Sequence, residues 1–167
     1  TKVSSKFHSA PPFLKKMRVL AADDNALNRK ILGLMLTEMG IETDFANNGQ
    51  EAIEKLSQAP YDLALIDVQM PIVDGFGVAA WVKQEWHGLW SPPSLIAVSA
   101  TAMEQVKAKC LSLGMVDFIA KPVDLEDLQQ TVARHGQLGL SDLRADRLES
   151  PRGAQPSAPP FDPSANR

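Results

Sequence analysis

Asp23, Asp24 and Asp67, together with Ser99 and Lys121, are the residues whose types could do chemistry as a group: three carboxylates, a hydroxyl and an ammonium. Each stands at the carboxyl end of a short apolar run, so a fold that gathers those run ends gathers these side chains into one crevice. Three carboxylates in one crevice repel, and a hard divalent cation relieves the repulsion. Magnesium suits the set because it takes oxygen ligands, keeps several waters and needs only one or two carboxylates from the protein. No His or Cys stands nearby, which makes zinc a poor match. Asp24 alone could be a helix N-cap, but a second strand-end carboxylate at Asp67 favours a shared site. Lys121 alone could be a solvated strand-end lysine. It precedes Pro122, however, and an X–Pro bond in a tight turn is a candidate for the cis isomer, which would aim the ammonium back over the crevice. Carboxylates, a cation, a hydroxyl and an ammonium are the groups that position and neutralise a transferring phosphoryl group. A carboxylate nucleophile that becomes an aspartyl phosphate is known chemistry.

The elements that must position these residues are legible in the apolar pattern. Met17–Ala22, Asp62–Ile66, Leu95–Val98 and Val116–Ala120 have strand length and flanking Asp, Pro or Gly, and Thr43–Ala46 is a weaker fifth. Between them lie helical segments. Asn48 with Glu51, and Thr101 with Glu104, have capping-box spacing, and Gly40, Gly114 and Gly136 stand where helices should stop. From Asn25 to Met39, Leu27, Ile31, Leu34 and Met35 share one face, as Leu125, Leu128 and Val132 do in the last helix. Strict alternation of strand and helix predicts a parallel sheet with helices on both faces. In such sheets the ligand site lies beyond the carboxyl ends of the strands, near the switch point between the first and third. That is where the five candidate residues fall.

Composition sets the outer limits. The chain has 167 residues, 44% of them hydrophobic and 22% charged, as in an ordinary globular domain. No apolar run nears the roughly 18 residues of a membrane span, and no signal-peptide pattern opens the chain, so a cytoplasmic protein without membrane contact is expected. A single cysteine, Cys110, excludes an internal disulfide and reads as a small buried apolar side chain. Residues 1–16 carry four lysines and no acid, whereas residues 17–135 carry 9 basic and 16 acidic residues. That acidic block argues against nucleic acid and leaves room for a cation. Residues 1–16, with Pro11-Pro12, read as a linker whose Phe13 and Leu14 could dock on the domain edge; residues 17–135 read as the domain; residues 136–167 read as a disordered proline-rich tail. No output domain is expected after residue 135. Thr1 in place of Met reads as a processed start or an excised fragment.

The motifs Ala22-Asp23-Asp24-Asn25, Asp67-Val68-Gln69-Met70-Pro71 with Asp74-Gly75, Ser99-Ala100 and Lys121-Pro122 resemble the receiver domain of two-component response regulators, over about residues 17–135. The stretches around Asp67 and Ser99 look most like receivers attached to hybrid histidine kinases, and the basic linker suits such an attachment. The resemblance implies a flavodoxin-like doubly wound (βα)5 sandwich with a parallel five-stranded sheet of order 2-1-3-4-5. It implies that Asp67 accepts a phosphoryl group, that Asp24 binds magnesium directly, Asp23 directly or through water, and Gln69 through its backbone carbonyl. Ser99 would hydrogen-bond the new phosphoryl group, Lys121 would pair with it, and Phe118 takes the place of the switch aromatic. Serine for the commoner threonine at position 99 leaves that role intact. The implied partner is a histidine kinase or a histidine phosphotransfer protein, the implied state a monomer, and the implied activities self-phosphorylation and dephosphorylation. A receiver-like scaffold that binds its partner without phosphorylation is the alternative. A flavodoxin-like cofactor module is a third reading, against which Asp23 and Asp24 would repel a bound phosphate. Trp81, Trp86 and Trp90 cluster in the third helix and the long link before the fourth strand; they are read first as core packing, and as a docking patch if exposed.

Overall fold

Residues 17–87 and 90–135 are described by the computed structural model. The expected linker, the proline-rich tail, the Gly136 helix stop and two residues of the link after the third helix lie outside them. Strands β1 (Arg18–Ala22), β2 (Glu42–Ala46), β3 (Leu63–Asp67), β4 (Ser94–Ser99) and β5 (Asp117–Ala120) alternate with helices α1 (Ala26–Glu38), α2 (Gly49–Gln58), α3 (Gly75–Glu85) and α4 (Glu104–Ser112). A fifth helix, α5, covers residues 125–135. All strand pairs are parallel, and the sheet order is β2-β1-β3-β4-β5. This is the flavodoxin-like order expected from the motifs.

Both faces of the sheet are covered, so its central strand reads as an unbroken apolar run ending in an acid: every residue of β3, Leu63 to Asp67, is buried. Alternation along β1 then divides the core in two. Val19 and Ala21 pack with Leu32 and Leu36 of α1 and Leu128 and Val132 of α5, while Leu20 and Ala22 face Ala52 and Leu56 of α2 and Val78 and Ala79 of α3. Cys110 is buried in that second core, as read. Trp81 and Trp86 pack against it half-buried, their rings edge to face with centroids 5.7 Å apart, and the Trp86 indole N–H donates to the Trp90 carbonyl at 3.0 Å.

Helix N-termini follow the capping rules with one exception among the described residues, that of α4. The Asn25 side chain accepts from the N–H groups of Leu27 and Asn28, Asn48 from Glu51 and Asp74 from Gly77. Gly40 and Gly114 sit at φ +76° and +91° just past α1 and α4. The expected box at Thr101 and Glu104 does not form: the Thr101 N–H donates back to the Ser99 hydroxyl oxygen, and α4 begins after Met103 without a side-chain cap. Leu27, Ile31 and Leu34 are 64%, 39% and 61% exposed, because α1 buries Leu32 and Leu36 instead. Apolar residues ring much of this helix, so periodicity alone could not choose the inward face.

The edge strand β2 is tied down by a polar cluster. The Arg18 guanidinium donates to Asp44 at 3.0 Å and lies over the Tyr61 ring, and the Tyr61 hydroxyl donates to the same carboxylate at 2.7 Å. Burial, then the Asp44 hydrogen bond and charge, push the phenol up to about 12. Folding therefore stabilises the protonated phenol. Its contribution is complete below the ordinary value of 10.0 and is lost as pH rises through about 12. Tyr61 is the sole tyrosine of the chain, so ultraviolet titration reads it directly. The phenolate band should stay absent at pH 10.5 in the native protein, and its midpoint should fall in Asp44→Ala while burial still holds it above 10.0; a wild-type midpoint near 10 would contradict the cluster.

Candidate functional site

Parallel strands carry their carboxyl ends to one edge of the sheet, and the order β2-β1-β3-β4-β5 sets β1 directly beside β3. Asp23 follows the last residue of β1 and is buried, its N–H bonded to the Ala46 carbonyl of β2. Its Oδ1 accepts from the Asn25 N–H at 2.9 Å, which turns the chain into α1 and leaves Asp24 exposed on the rim. Asp67 is the last residue of β3, and its Oδ1 accepts from the Gln69 N–H at 3.1 Å. Lys121 closes the group. Its ammonium donates at 2.8 Å to Asp23 Oδ2 and at 2.8 Å to Asp67 Oδ2, while its backbone N–H donates to the Ser99 carbonyl. The Lys121–Pro122 peptide is cis, as the sequence suggested.

Burial and charge compete here. Desolvation raises the pKa of Asp67 above its ordinary value, outweighing the hydrogen bonds from Lys121 and Gln69. For Lys121 the largest single influence is again burial, which favours the neutral amine; the bonds and charges of Asp23 and Asp67 together overcome it, and its pKa is raised. The ammonium is therefore held charged between two carboxylates, and burial makes Asp67 costly to ionise. Ser99 is buried, and its oxygen accepts from the Thr101 N–H at 3.0 Å. The hydroxyl proton remains available to donate.

Ligand atoms of Asp23, Asp24 and Asp67 lie within 4.8 Å of one another. Three hard oxygen donors converging at the mouth of a cleft fit a hard divalent cation, and among the described residues no softer donor joins them. The cleft, about 660 Å³, runs from Asp24 past Gln69 to Ser99 and is walled by Met70, Phe76 and Val106. Asp23, Asp24, Asp67, Gln69, Ser99 and Lys121 thus meet as the sequence suggested. Phe118 is set apart: it lines a separate cavity between α4 and β5, with the Lys107 ammonium over its ring.

Two contributors escaped the sequence reading. Arg29 donates to the Asp23 carbonyl at 2.7 Å and braces the loop that carries the acids; one turn into a helix, it gave no signal that it reaches back. Gly75 lies under the β3 end, where a Cβ would stand 2.5 Å from the Asp67 carbonyl oxygen and 2.8 Å from Val68 Cα. The Asp-Gly pair at 74 and 75 was visible, but the close approach that demands glycine was not.

Comparison with known proteins follows the same lines. Residues 19–133 match the family model described as the response regulator receiver domain. The chain is 39% identical over 119 residues to the signal transduction histidine-protein kinase BarA of Escherichia coli K12, covering 71% of this chain but only 13% of that protein's length. Among solved structures it resembles the receiver domain of the Saccharomyces cerevisiae response regulator Ssk1, co-crystallised with the histidine phosphotransfer signaling protein Ypd1. There the TM-score is 0.66 at 29% identity, covering 73% of this chain and 90% of that one. It also resembles the receiver domain of the sensor histidine kinase PA1611 from Pseudomonas aeruginosa PAO1, which holds a magnesium ion in its active-site cleft. The TM-score is 0.65 at 27% identity, covering 72% of this chain and 98% of that one.

Proposed function

The chain belongs to the response regulator receiver domain family, and from that membership we propose that Asp67 is its phosphoacceptor, drawing on phosphohistidine of a histidine kinase or phosphotransfer protein. The observation that carries the reading is the Lys121 ammonium shared at 2.8 Å by Asp23 and Asp67, with Ser99, whose carbonyl accepts from the Lys121 N–H, lining the adjoining cleft. A carboxylate oxygen of Asp67 attacks phosphorus, the P–N bond to histidine breaks, and its electron pair stays on the imidazole. Ser99 then donates to a phosphoryl oxygen, and Lys121 pairs with the added negative charge. Asp23, Asp24, Asp67 and the Gln69 carbonyl would hold a magnesium ion, which when bound neutralises charge on the phosphoryl oxygens. Charge appearing beside β4 draws Ser99 inward, and Phe118 is the bulky β5 side chain that follows it, altering the surface of α4, β5 and α5.

A donor helix must reach Asp67, and the exposed stripe Leu27, Ile31 and Leu34 on α1 offers it an apolar seat beside the crevice. Residues 17–135 act in this reading as a cytoplasmic, monomeric receiver unit, joined by its basic linker to a larger signalling protein. A scaffold would not need these charges gathered in one crevice.

Acetyl phosphate with magnesium should add one phosphoryl group to the protein and none to Asp67→Asn, as read by mass spectrometry. Incorporation into the variant at the wild-type rate would overturn the assignment. With a phosphohistidine donor, Lys30→Glu should slow transfer while leaving the acetyl phosphate rate alone; equal slowing of both would remove α1 as the docking face. Lys30 serves better than Arg29, whose guanidinium already braces Asp23.

A further inference from the structure

Helix α4 is seated by side contacts more than by its own ends. It lacks a side-chain cap, and Cys110 is its one buried residue. Two contacts fasten it to α3: the Lys83 ammonium donates to the Ser112 carbonyl at 2.9 Å, and Lys109 lies 4.3 Å from the Phe76 ring centroid. Lys107 reaches the other way, its ammonium 5.5 Å from the centroid of the Phe118 ring. Cavities flank the helix on both sides. One is the acidic cleft with Ser99, Thr101 and Val106; the other, about 260 Å³, is lined by Lys107, Cys110, Leu111 and Phe118. A Phe118 ring that leaves this cavity for Ser99 gives up the contact with the Lys107 ammonium as it stands.

We propose that Lys107 is a positioning residue of the switch: attraction between its ammonium and the Phe118 ring face holds that ring in the α4–β5 cavity while Asp67 is unphosphorylated, and so sets the resting population. This rests on the reading of Asp67 as acceptor and Phe118 as the moving aromatic. Glu104 competes weakly for the same ammonium, being 4.0 Å away and 92% exposed. A cation over an aromatic face at a partly exposed site shifts a two-state population by roughly two- to fivefold. A ligand that binds only the inward arrangement gains affinity by the same factor when the clamp is removed and that arrangement is the minor one.

The test uses the whole chain with Lys107→Met, which keeps the stem and removes the charge, Lys107→Arg, which keeps the charge, and Glu104→Gln. Cys110 is the chain's single thiol and lines the cavity that the ring fills, so its alkylation rate reports ring departure. Without any phosphoryl mimic, Lys107→Met should alkylate roughly two- to fivefold faster than wild type and bind beryllofluoride with magnesium tighter by a similar factor. Lys107→Arg and Glu104→Gln should match wild type. Wild-type behaviour of Lys107→Met in both measurements, or a Lys107→Arg that behaves like Lys107→Met, would overturn the clamp. If beryllofluoride leaves the Phe118 ring resonances of the wild type unmoved, the switch reading fails and the clamp with it. Phosphoryl incorporation at Asp67, measured separately, stands or falls on its own.

Discussion

Lys121→Met should lower acetyl phosphate incorporation by about 100- to 1,000-fold while raising the affinity for magnesium, two effects of opposite sign from one lost charge. The ammonium is the shared partner of Asp23 and Asp67 and is only 18% exposed, so little water is at hand to replace it. Removing it leaves the acceptor carboxylate beside Asp23 with no fixed cation to meet the incoming phosphoryl oxygens. The same removal deepens the negative potential of the acidic cluster. One unit charge a few ångströms away is worth about 1 kcal/mol even at the dielectric of water, so magnesium should bind at least about fivefold tighter. Stability should move too. Stripping one partner from buried ionic groups costs on the order of 3 kcal/mol, and magnesium should restore most of it. In the wild type the Lys121 contribution is complete below its ordinary pKa of 10.5 and fades as pH rises through its raised folded value, so the gap between wild type and variant should narrow at high pH. Calorimetric magnesium titration and denaturant melts with and without the ion supply both readings. A variant that loses phosphorylation and magnesium binding together would show Lys121 to be a structural brace rather than a charge partner.

The second large effect comes from a residue with no side chain. Gly75→Ala should destabilise the protein by about 1–3 kcal/mol and slow phosphorylation as well, because the added methyl meets backbone that cannot step aside. Its nearest atoms are the Asp67 carbonyl oxygen at 2.5 Å and Val68 Cα at 2.8 Å, and the Gly75 N–H donates to the Val68 carbonyl. Relief must come from sliding α3 away or pushing the β3 end forward, and either displaces Asp67 relative to Lys121. Gly77→Ala is the comparison. Its Cβ would approach the Val73 Cγ1 methyl at 2.6 Å, a side-chain atom that can rotate away, so both effects should be smaller. Thermal melts and acetyl phosphate kinetics on the pair decide the matter: equal losses in the two variants would mean that helix entropy, not the contact with Asp67, sets the cost.

Where sequence and structure part company, the cause is local in each case. Thr101 and Glu104 have the spacing of a cap, yet the Thr101 N–H is taken by the Ser99 hydroxyl oxygen, and Met103, in extended backbone, holds the cap position. Leu27, Ile31 and Leu34 form a stripe as regular as the one that is buried, and only the position of β1 and α5 against Leu32 and Leu36 decides which stripe meets the core. Arg29 and Lys107 look like ordinary surface cations until the fold sets a carbonyl beneath one and an aromatic ring beneath the other.

The sequence by itself determined the strands, their parallel arrangement and the residues at their carboxyl ends. Those depend on short-range facts: apolar runs of strand length, Asn and Asp caps, and the rule that alternating strands and helices return each strand end to the same edge. Because Asp23, Asp24, Asp67, Ser99 and Lys121 sit at such ends, the candidate site was legible before any coordinate was known. Tertiary structure alone decided the distances and the bracing: the 2.8 Å contacts of one ammonium with two carboxylates, the glycine pressed under Asp67, and the lysine over Phe118. Contacts between residues separated by 40 or more positions, such as Lys121 with Asp67 and Asp23, depend on how whole layers pack, and no pattern of neighbouring residues encodes how closely two layers approach.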